Sequence, residues 1–174
     1  MPSERLIVIG GHNGGEIGTR ETNLFEPATN TWTRAANMNV QRWYPASIPL
    51  SDGRQIALSG QITPGVWADV PEIYDPRTNV WTNMTGVNTS DMHDREYTLS
   101  YRLPNGRVLV LAVSPNVVRI FDPLALTWTP GPFDPKLSLS SGVMYRPGKI
   151  LASGGGSTAV GSPAQTSALI VDAT

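Results

Sequence analysis

Two arginine and tyrosine pairs are the first residues in this sequence whose types and spacing suggest a defined task. Arg42 and Tyr44 flank Trp43, and the same spacing returns 53 positions later at Arg95 and Tyr97. An arginine offers five N–H donors in a fixed plane, which suits the backbone carbonyls of a neighbouring sheet. The recurrence favours a structural role in each repeat, and a specialised chemical role for Tyr44 is the alternative.

The two histidines carry weaker signals. His93 lies in the segment 90–96 with three carboxylates, and this cluster could bind a cation weakly. Its spacing matches no defined calcium loop, so a solvated loop is the favoured interpretation. His12 follows Gly10-Gly11 and is predicted to be a surface or turn residue, with ligand binding as the alternative.

Several kinds of chemistry are excluded by what the sequence lacks. It has no cysteine and two histidines, which removes zinc–thiolate sites, cysteine nucleophiles and any ordinary metal site built from histidine alone. The Gly-rich segment 154–157 is not followed by Lys-Thr, so it does not predict a phosphate-binding loop. A serine nucleophile elbow is also absent.

Composition and charge indicate one soluble globular unit. The 174 residues are 40% hydrophobic and 16% charged, with 13 Lys+Arg against 14 Asp+Glu and a net charge of −1. The absence of a basic stripe argues against nucleic acid as a partner. Apolar stretches only a few residues long argue against membrane insertion. The first residues do not have the pattern of a signal peptide.

The chain repeats itself about every 48 residues. One motif occurs three times: an aromatic residue is followed by an acidic residue and proline, and a tryptophan lies seven positions after the aromatic residue. The three copies run from Phe25 to Trp32, from Tyr74 to Trp81 and from Phe121 to Trp128. Between these segments, Asp-Gly, Asn-Gly or Pro-Gly turns lead into apolar strands. We therefore predict strands grouped as three, four, four and three. The repeated tryptophans are predicted to pack between neighbouring sheets.

A repeat of this size cannot bury its small sheet alone, so copies must stack, and the radial solution is a β-propeller. We predict an all-β, kelch-type propeller fragment of about 3.5 blades of four-stranded antiparallel sheets. Residues 1–174 form one partial propeller, with blade pieces at about 1–38, 39–90, 91–134 and 135–174. Open strand edges predict self-association or pairing with missing blades, and a closed four-bladed ring is the less favoured alternative.

The same residues carry a resemblance to a known family. The Gly-Gly strand ends, the repeated tryptophan segments and the hairpin turns resemble the kelch repeat. More narrowly, Asn39 to Pro45 followed by Leu50-Ser51-Asp52-Gly53-Arg54 is similar to galactose oxidase and glyoxal oxidase-like proteins. This resemblance implies secretion or a cell-surface location, and a parent protein that oxidises alcohols, aldehydes or sugars.

Copper radical oxidases of that family hold one copper with two tyrosines and two histidines, and one tyrosine is cross-linked to a cysteine. By this resemblance Tyr44 falls at the cross-linked tyrosine and is the catalytic and metal-ligand candidate. Trp43 or Trp67 would shield it, and Arg42, Trp43, Trp67, Arg95 and Tyr97 are the substrate-binding candidates. The sequence has no cysteine, and its histidines do not occupy the family's positions.

Two functions from different classes follow. The first is a fragment or truncated relative of a copper radical oxidase, with no cofactor in this chain alone and copper in a full-length parent. The second is a non-catalytic kelch module that binds a glycan or a protein through its loops. These loops are predicted at 14–22, 34–43, 61–69, 83–96 and 156–166 and are rich in Asn, Thr, Trp and Arg.

Overall fold

The computed structural model describes residues 5–90, 98–111, 118–131, 141–156 and 163–174, and Arg95, Tyr97 and His93 lie outside them. The described residues form strands and no helix, so they contain no helix able to span a membrane. The strands of residues 1–90 are β1 (Leu6–Ile9), β2 (Thr22–Glu26), β3 (Thr31–Arg34), β4 (Ala46–Pro49), β5 (Gln55–Leu58), β6 (Gln61–Thr63), β7 (Val66–Trp67), β8 (Glu72–Asp75) and β9 (Val80–Asn83). Those of residues 91–174 are β10 (Leu99–Arg102), β11 (Val108–Leu111), β12 (Val118–Asp122), β13 (Thr127–Pro130), β14 (Ser141–Arg146), β15 (Lys149–Ser153) and β16 (Ala168–Asp172).

The chain divides into two compact units, residues 1–90 and 91–174. The first unit holds the first sheet (β1-β2-β3), the second sheet (β4-β5-β8-β9) and a separate β6-β7 hairpin. The second unit holds the third sheet (β10-β11-β12-β13) and the fourth sheet (β14-β15-β16). The all-β fold class with four-stranded antiparallel sheets is thus confirmed. The segment 61–69, predicted to be a loop, instead contains the β6-β7 hairpin, and the four blade pieces of one propeller stay a prediction.

The repeated acid and proline segments form the same turn three times. In each, a carboxylate accepts a hydrogen bond from the backbone N–H two residues later, at Ala28, Arg77 and Leu124, over 3.3, 2.9 and 2.9 Å. The residue two positions before each tryptophan is left-handed, with φ of 53° at Asn30, 55° at Asn79 and 57° at Leu126. Asn accepts this conformation readily and Leu does not, so the third turn is strained.

Each repeated tryptophan lies opposite its aromatic partner on the adjacent strand. The pairs are Phe25 with Trp32, Tyr74 with Trp81 and Phe121 with Trp128, and their ring centroids are 5.0, 5.1 and 4.8 Å apart. We call the face that carries this row the leading face of its sheet and the opposite face the trailing face. In the fourth sheet, Ile150 and Val171 occupy the equivalent row.

In the first unit, the trailing face of the first sheet packs against the leading face of the second sheet. Ile7 and Ile9 of the first sheet join one core with Tyr74 and Trp81 of the second sheet. The indole N–H of Trp81 donates to Thr22 Oγ1 and to the carbonyl of Ala36, both at 3.1 Å. This confirms the predicted packing between sheets for Trp81.

The other two tryptophans differ from Trp81. Trp32 is 55% exposed, because no other sheet of the first unit covers the leading face of the first sheet. The prediction that Trp32 packs between sheets is therefore wrong for this structure. Trp128 is half-buried, and its Nε1 has no hydrogen-bond partner among the described residues.

The second unit repeats the same mode of packing. Leu109 and Tyr101, on the trailing face of the third sheet, meet Ile150, Ala152 and Val171 on the leading face of the fourth sheet. In both units, therefore, a trailing face is covered by the leading face of the next sheet.

Candidate functional site

The segment from Arg42 to Tyr44 runs between two loops and is hydrogen-bonded to both. On one side, Arg42 N–H donates to the carbonyl of Thr19 (2.9 Å), and the N–H of Gly11 donates to the carbonyl of Arg42 (3.0 Å). On the other side, Trp43 and Gln61 exchange two backbone hydrogen bonds of 2.8 Å. The segment therefore joins the loop after β1 to the β6-β7 hairpin.

Two residues that contact this segment, Gly18 and Gly60, have no space for a side chain. Gly60 has φ of +96°, and a Cβ built on it would lie 2.9 Å from the carbonyl oxygen of Trp43. A Cβ on Gly18 would lie 2.6 Å from the carbonyl oxygen of Gln61 and 2.7 Å from the backbone nitrogen of Arg42. The two glycines hence fix how closely the hairpin and the first loop approach the segment.

Arg42 is completely buried and every one of its N–H donors is engaged. It donates to the carbonyls of Ser59 (2.7 Å), Ala68 (3.3 Å) and Val70 (2.7 Å). Its remaining donors reach Glu72 Oε1, at 3.4 Å from Nε and 3.1 Å from Nη2. Burial lowers the pKa of Arg42, and the Glu72 carboxylate opposes that shift. No donor of Arg42 is left for a substrate in this conformation.

Glu72 completes the arrangement from the start of β8. Its side chain is also fully buried, and besides Arg42 it accepts the backbone N–H groups of Asn39 (2.6 Å) and Val40 (3.1 Å). Glu72 therefore connects the segment from Asn39 to Arg42 to the second sheet. We call Arg42 and Glu72, with the backbone groups they bind, the Arg42–Glu72 network.

This network matches the structural role expected for the arginine, with one correction. The carbonyls that it binds belong to residues 59–70, which connect β5 to β8 of the second sheet, and not to a neighbouring sheet. Sequence reasoning missed Glu72. Its signal was the alternation of β8, which places Glu72 on the same face as buried Tyr74, where a charge requires a partner.

Beyond the network, three rings lie together at the surface. The rings of Trp43 and Tyr44 stack with centroids 4.6 Å apart and an interplanar angle of 29°. The ring of His12 lies 5.8 Å from that of Trp43, tilted by 47°. Tyr44 is 41% exposed and has φ of +52°, an uncommon backbone conformation for tyrosine. We call His12, Trp43 and Tyr44 the ring cluster.

Trp67 lies in the neighbouring hairpin. It pairs with Gln61 across β6 and β7, and Gln61 in turn pairs with Trp43, so the hairpin connects the two tryptophans through backbone hydrogen bonds. The structure thus brings Arg42, Trp43, Tyr44 and Trp67 into one region of the first unit. Their assignment to catalysis or substrate binding stays a prediction.

Copper ligands are few in this region. Among the described residues, no group of three His, Cys, Asp or Glu side chains could hold a metal ion. Tyr44 supplies one phenol, and His12 is the one histidine of the sequence that the structure describes. The described residues therefore do not form a complete copper site by themselves.

Known proteins resemble this chain over nearly all of its length. Two galactose oxidase sequences of Gibberella zeae are each 26% identical over 185 aligned residues, which cover 96% of this chain and 26% of each relative. The chain is thus similar in sequence to part of galactose oxidase. It spans about a quarter of the length of these curated relatives, and no family model matches it.

The fold of the chain is also similar to that of a solved protein structure. A solved fungal alcohol oxidase of the AA5 family, in complex with copper, superposes with a TM-score of 0.76 at 24% identity. The superposition covers 97% of this chain and 37% of the solved chain. The predicted resemblance to galactose oxidase-like proteins and the predicted all-β fold class are thereby confirmed.

Proposed function

We propose that this chain is the part of a galactose oxidase-like copper radical oxidase that presents Tyr44 to the copper. The oxidase would act on alcohols, aldehydes or sugars outside the cell, and further sheets would supply the other copper ligands. The observation that carries the proposal is the backbone of Tyr44, held at φ of +52° beside the Arg42–Glu72 network in a residue that is 41% exposed. A partly exposed residue that is held in an uncommon backbone conformation is suited to a defined ligand position.

The relationship to galactose oxidase supports the proposal, since the aligned region includes this segment of the chain. In the proposal, Arg42 is a positioning residue, because its donors are engaged inside the protein. Trp43 covers one face of the Tyr44 ring. Trp67, Arg95 and Tyr97 remain substrate-binding candidates.

A chimera tests the proposal. This chain replaces the aligned quarter of the Gibberella zeae galactose oxidase, and copper content and copper-dependent oxidation of galactose are measured together with the melting temperature. We expect Tyr44→Phe to remove the oxidation and to lower the bound copper. Tyr145→Phe is the matched control, because Tyr145 is 45% exposed and lies in the fourth sheet. Equal copper content and activity in both variants would show that Tyr44 is no ligand.

The ring cluster favours a second candidate function, binding of a carbohydrate without catalysis. Stacked aromatic rings at a surface offer a flat apolar area against which a sugar ring packs, and this task needs no metal. Titration calorimetry of the 174-residue chain with mono- and oligosaccharides in the presence of a chelator distinguishes this function. Trp43→Ala should weaken binding by about tenfold or more, whereas Trp32→Ala, which removes an exposed tryptophan elsewhere, should not.

A further inference from the structure

The sequence contains two acceptor motifs for N-linked glycosylation. Such a motif is an asparagine, any residue except proline, and then serine or threonine. The two copies are Asn83-Met84-Thr85 and Asn88-Thr89-Ser90, at the end of β9 and in the segment that follows it. Neither asparagine belongs to the Arg42–Glu72 network or to the ring cluster, so the proposed function does not account for these motifs.

The segment after β9 is anchored by three inward-facing residues. Met84, Val87 and Thr89 are buried, at 5%, 2% and 0% exposure. Met84 and Thr89 also donate their backbone N–H groups, over 2.8 and 2.9 Å, to carbonyls directly before β8. Asn83 and Asn88 alternate with these anchors and are exposed. The fold therefore fixes this segment and leaves both asparagines in water.

The hydrogen bonds of the two asparagine side chains are compatible with an attached sugar. The Oδ1 of Asn88 accepts the backbone N–H of Ser90 at 2.6 Å, and the Oδ1 of Asn83 accepts Nδ2 of Asn39 at 3.0 Å. An N-linked sugar is bonded to Nδ2, so Oδ1 stays an acceptor. Both contacts can therefore persist in the modified protein.

The position of β9 gives a glycan a physical role. Among the described strands, β9 pairs with β8 alone and is the outer strand of the second sheet. The free backbone groups of an outer strand can pair with other chains, and proteins protect such edges. Asn83 is the last residue of β9, so a bulky hydrophilic group there would cover the end of this edge.

We propose that Asn83 and Asn88 carry N-linked glycans. In the reaction, Nδ2 forms a bond to the first carbon of an oligosaccharide, the bond from that carbon to a lipid pyrophosphate breaks, and Nδ2 loses one proton to solvent. The donor is a lipid-linked oligosaccharide of the eukaryotic secretory pathway. The proposal rests on the extracellular location in the proposed function, and it does not involve copper.

Secretion of the chain from a fungal host behind a signal peptide tests the proposal. We expect a mass above the 18.8 kDa of the bare chain, and aspartate in place of Asn83 and Asn88 after release by a peptide N-glycosidase. Asn83→Gln and Asn88→Gln should each lose one glycan. Thr85→Ala and Ser90→Ala should lose the same glycans although the asparagines remain, which separates the modification from any effect on folding.

Asn105 provides the matched control. Its Oδ1 accepts the backbone N–H of Arg107 at 3.1 Å, in the same kind of turn as at Asn88, but Gly-Arg follows it. Asn105→Gln should therefore leave the glycans unchanged, and Arg107→Thr, which completes a motif, should add a third glycan.

The outcomes distinguish this proposal from the proposed function. An Arg107→Thr chain that is modified at Asn105 and bare at Asn83 or Asn88 would overturn the proposal for the bare residue. A chain with glycans at Asn83 and Asn88 would support it even if the chimera showed that Tyr44 is no copper ligand.

Discussion

Glu72→Gln is the substitution that most directly tests how the Arg42–Tyr44 segment is held. Both members of the Arg42–Glu72 pair have side chains that are 0% exposed, and Glu72 accepts four N–H donors. A glutamine keeps the shape, but it leaves the Arg42 charge without a counter-ion and turns one acceptor into a donor that faces other donors. Removing one partner of a buried ion pair costs about 3–5 kcal/mol.

This loss is large enough to measure by urea unfolding. In a chain of this size, 1 kcal/mol shifts the melting temperature by roughly 2–4 °C, so Glu72→Gln should lower it by roughly 6–20 °C. The assay follows circular dichroism for the sheets and tryptophan fluorescence, to which Trp43 contributes. Glu26→Gln is the matched control, because Glu26 pairs with Arg5 at the surface and the change there should be far smaller.

A double-mutant cycle separates the pair from its other contacts. Arg42→Met should also be strongly destabilising, because it leaves the Glu72 carboxylate buried and unpaired. The Arg42→Met, Glu72→Gln double variant should lose less than the sum of the single losses, by about 2 kcal/mol. A Glu72→Gln variant within about 1 kcal/mol of the parent, or additive losses in the cycle, would refute the conclusion that this pair holds the segment.

Three further predictions concern the turns and the cores. Leu126→Asn should stabilise the chain by about 1 kcal/mol, because Leu126 is left-handed where the other repeats have Asn, and Asn30→Leu should cost a similar amount. Tyr101→Phe should be neutral or stabilising by about 1 kcal/mol, because the buried hydroxyl has no partner among the described residues, whereas Tyr74→Phe should be destabilising, since its hydroxyl donates to an Asn side chain. Arg77 lowers the pKa of Asp75 from 3.8 to about 2, so this carboxylate stabilises the fold above about pH 4 and loses that effect as the pH falls towards 2.

The measurements for these three are urea unfolding for the first two and melting temperature against pH for the third. Leu126→Asn and Asn30→Leu effects of the same sign would contradict the strain argument. If Tyr101→Phe were as destabilising as Tyr74→Phe, the Tyr101 hydroxyl would have a partner after all. Asp75→Asn should flatten the loss of melting temperature between about pH 4 and pH 2, and an unchanged slope would show that Asp75 does not contribute.

The strands and turns of this chain could be read from its sequence. The Asp-Gly and Asn-Gly pairs and the repeated acid and proline segments specify turns through local backbone preferences, and the flanking apolar runs are long enough for one strand each. Each turn and each strand is therefore specified by a few residues that are adjacent in the sequence. The grouping into sheets of three, four, four and three strands was therefore predicted correctly, whereas the separate β6-β7 hairpin was not predicted.

The candidate site was only partly predictable. Arg42 and Tyr44 were identified by their spacing, but the partner of Arg42 is 30 positions away and occurs in a strand where the other repeats have Asn23 and Arg119. The hairpin within the segment 61–69 was missed because β6 and β7 are only three and two residues long, too short to give a strand pattern in the sequence.

The sequence by itself determined where the chain turns, which residues alternate inward and that the protein is built from repeated antiparallel sheets. Only the tertiary structure decided that Arg42 is enclosed, that Tyr44 is exposed beside Trp43 and that Trp32 is uncovered while Trp81 is buried. Local preferences are the same for Trp32 and Trp81, since both follow the same turn. Their burial differs because it depends on whether another sheet lies against that face, which no residue near either tryptophan encodes.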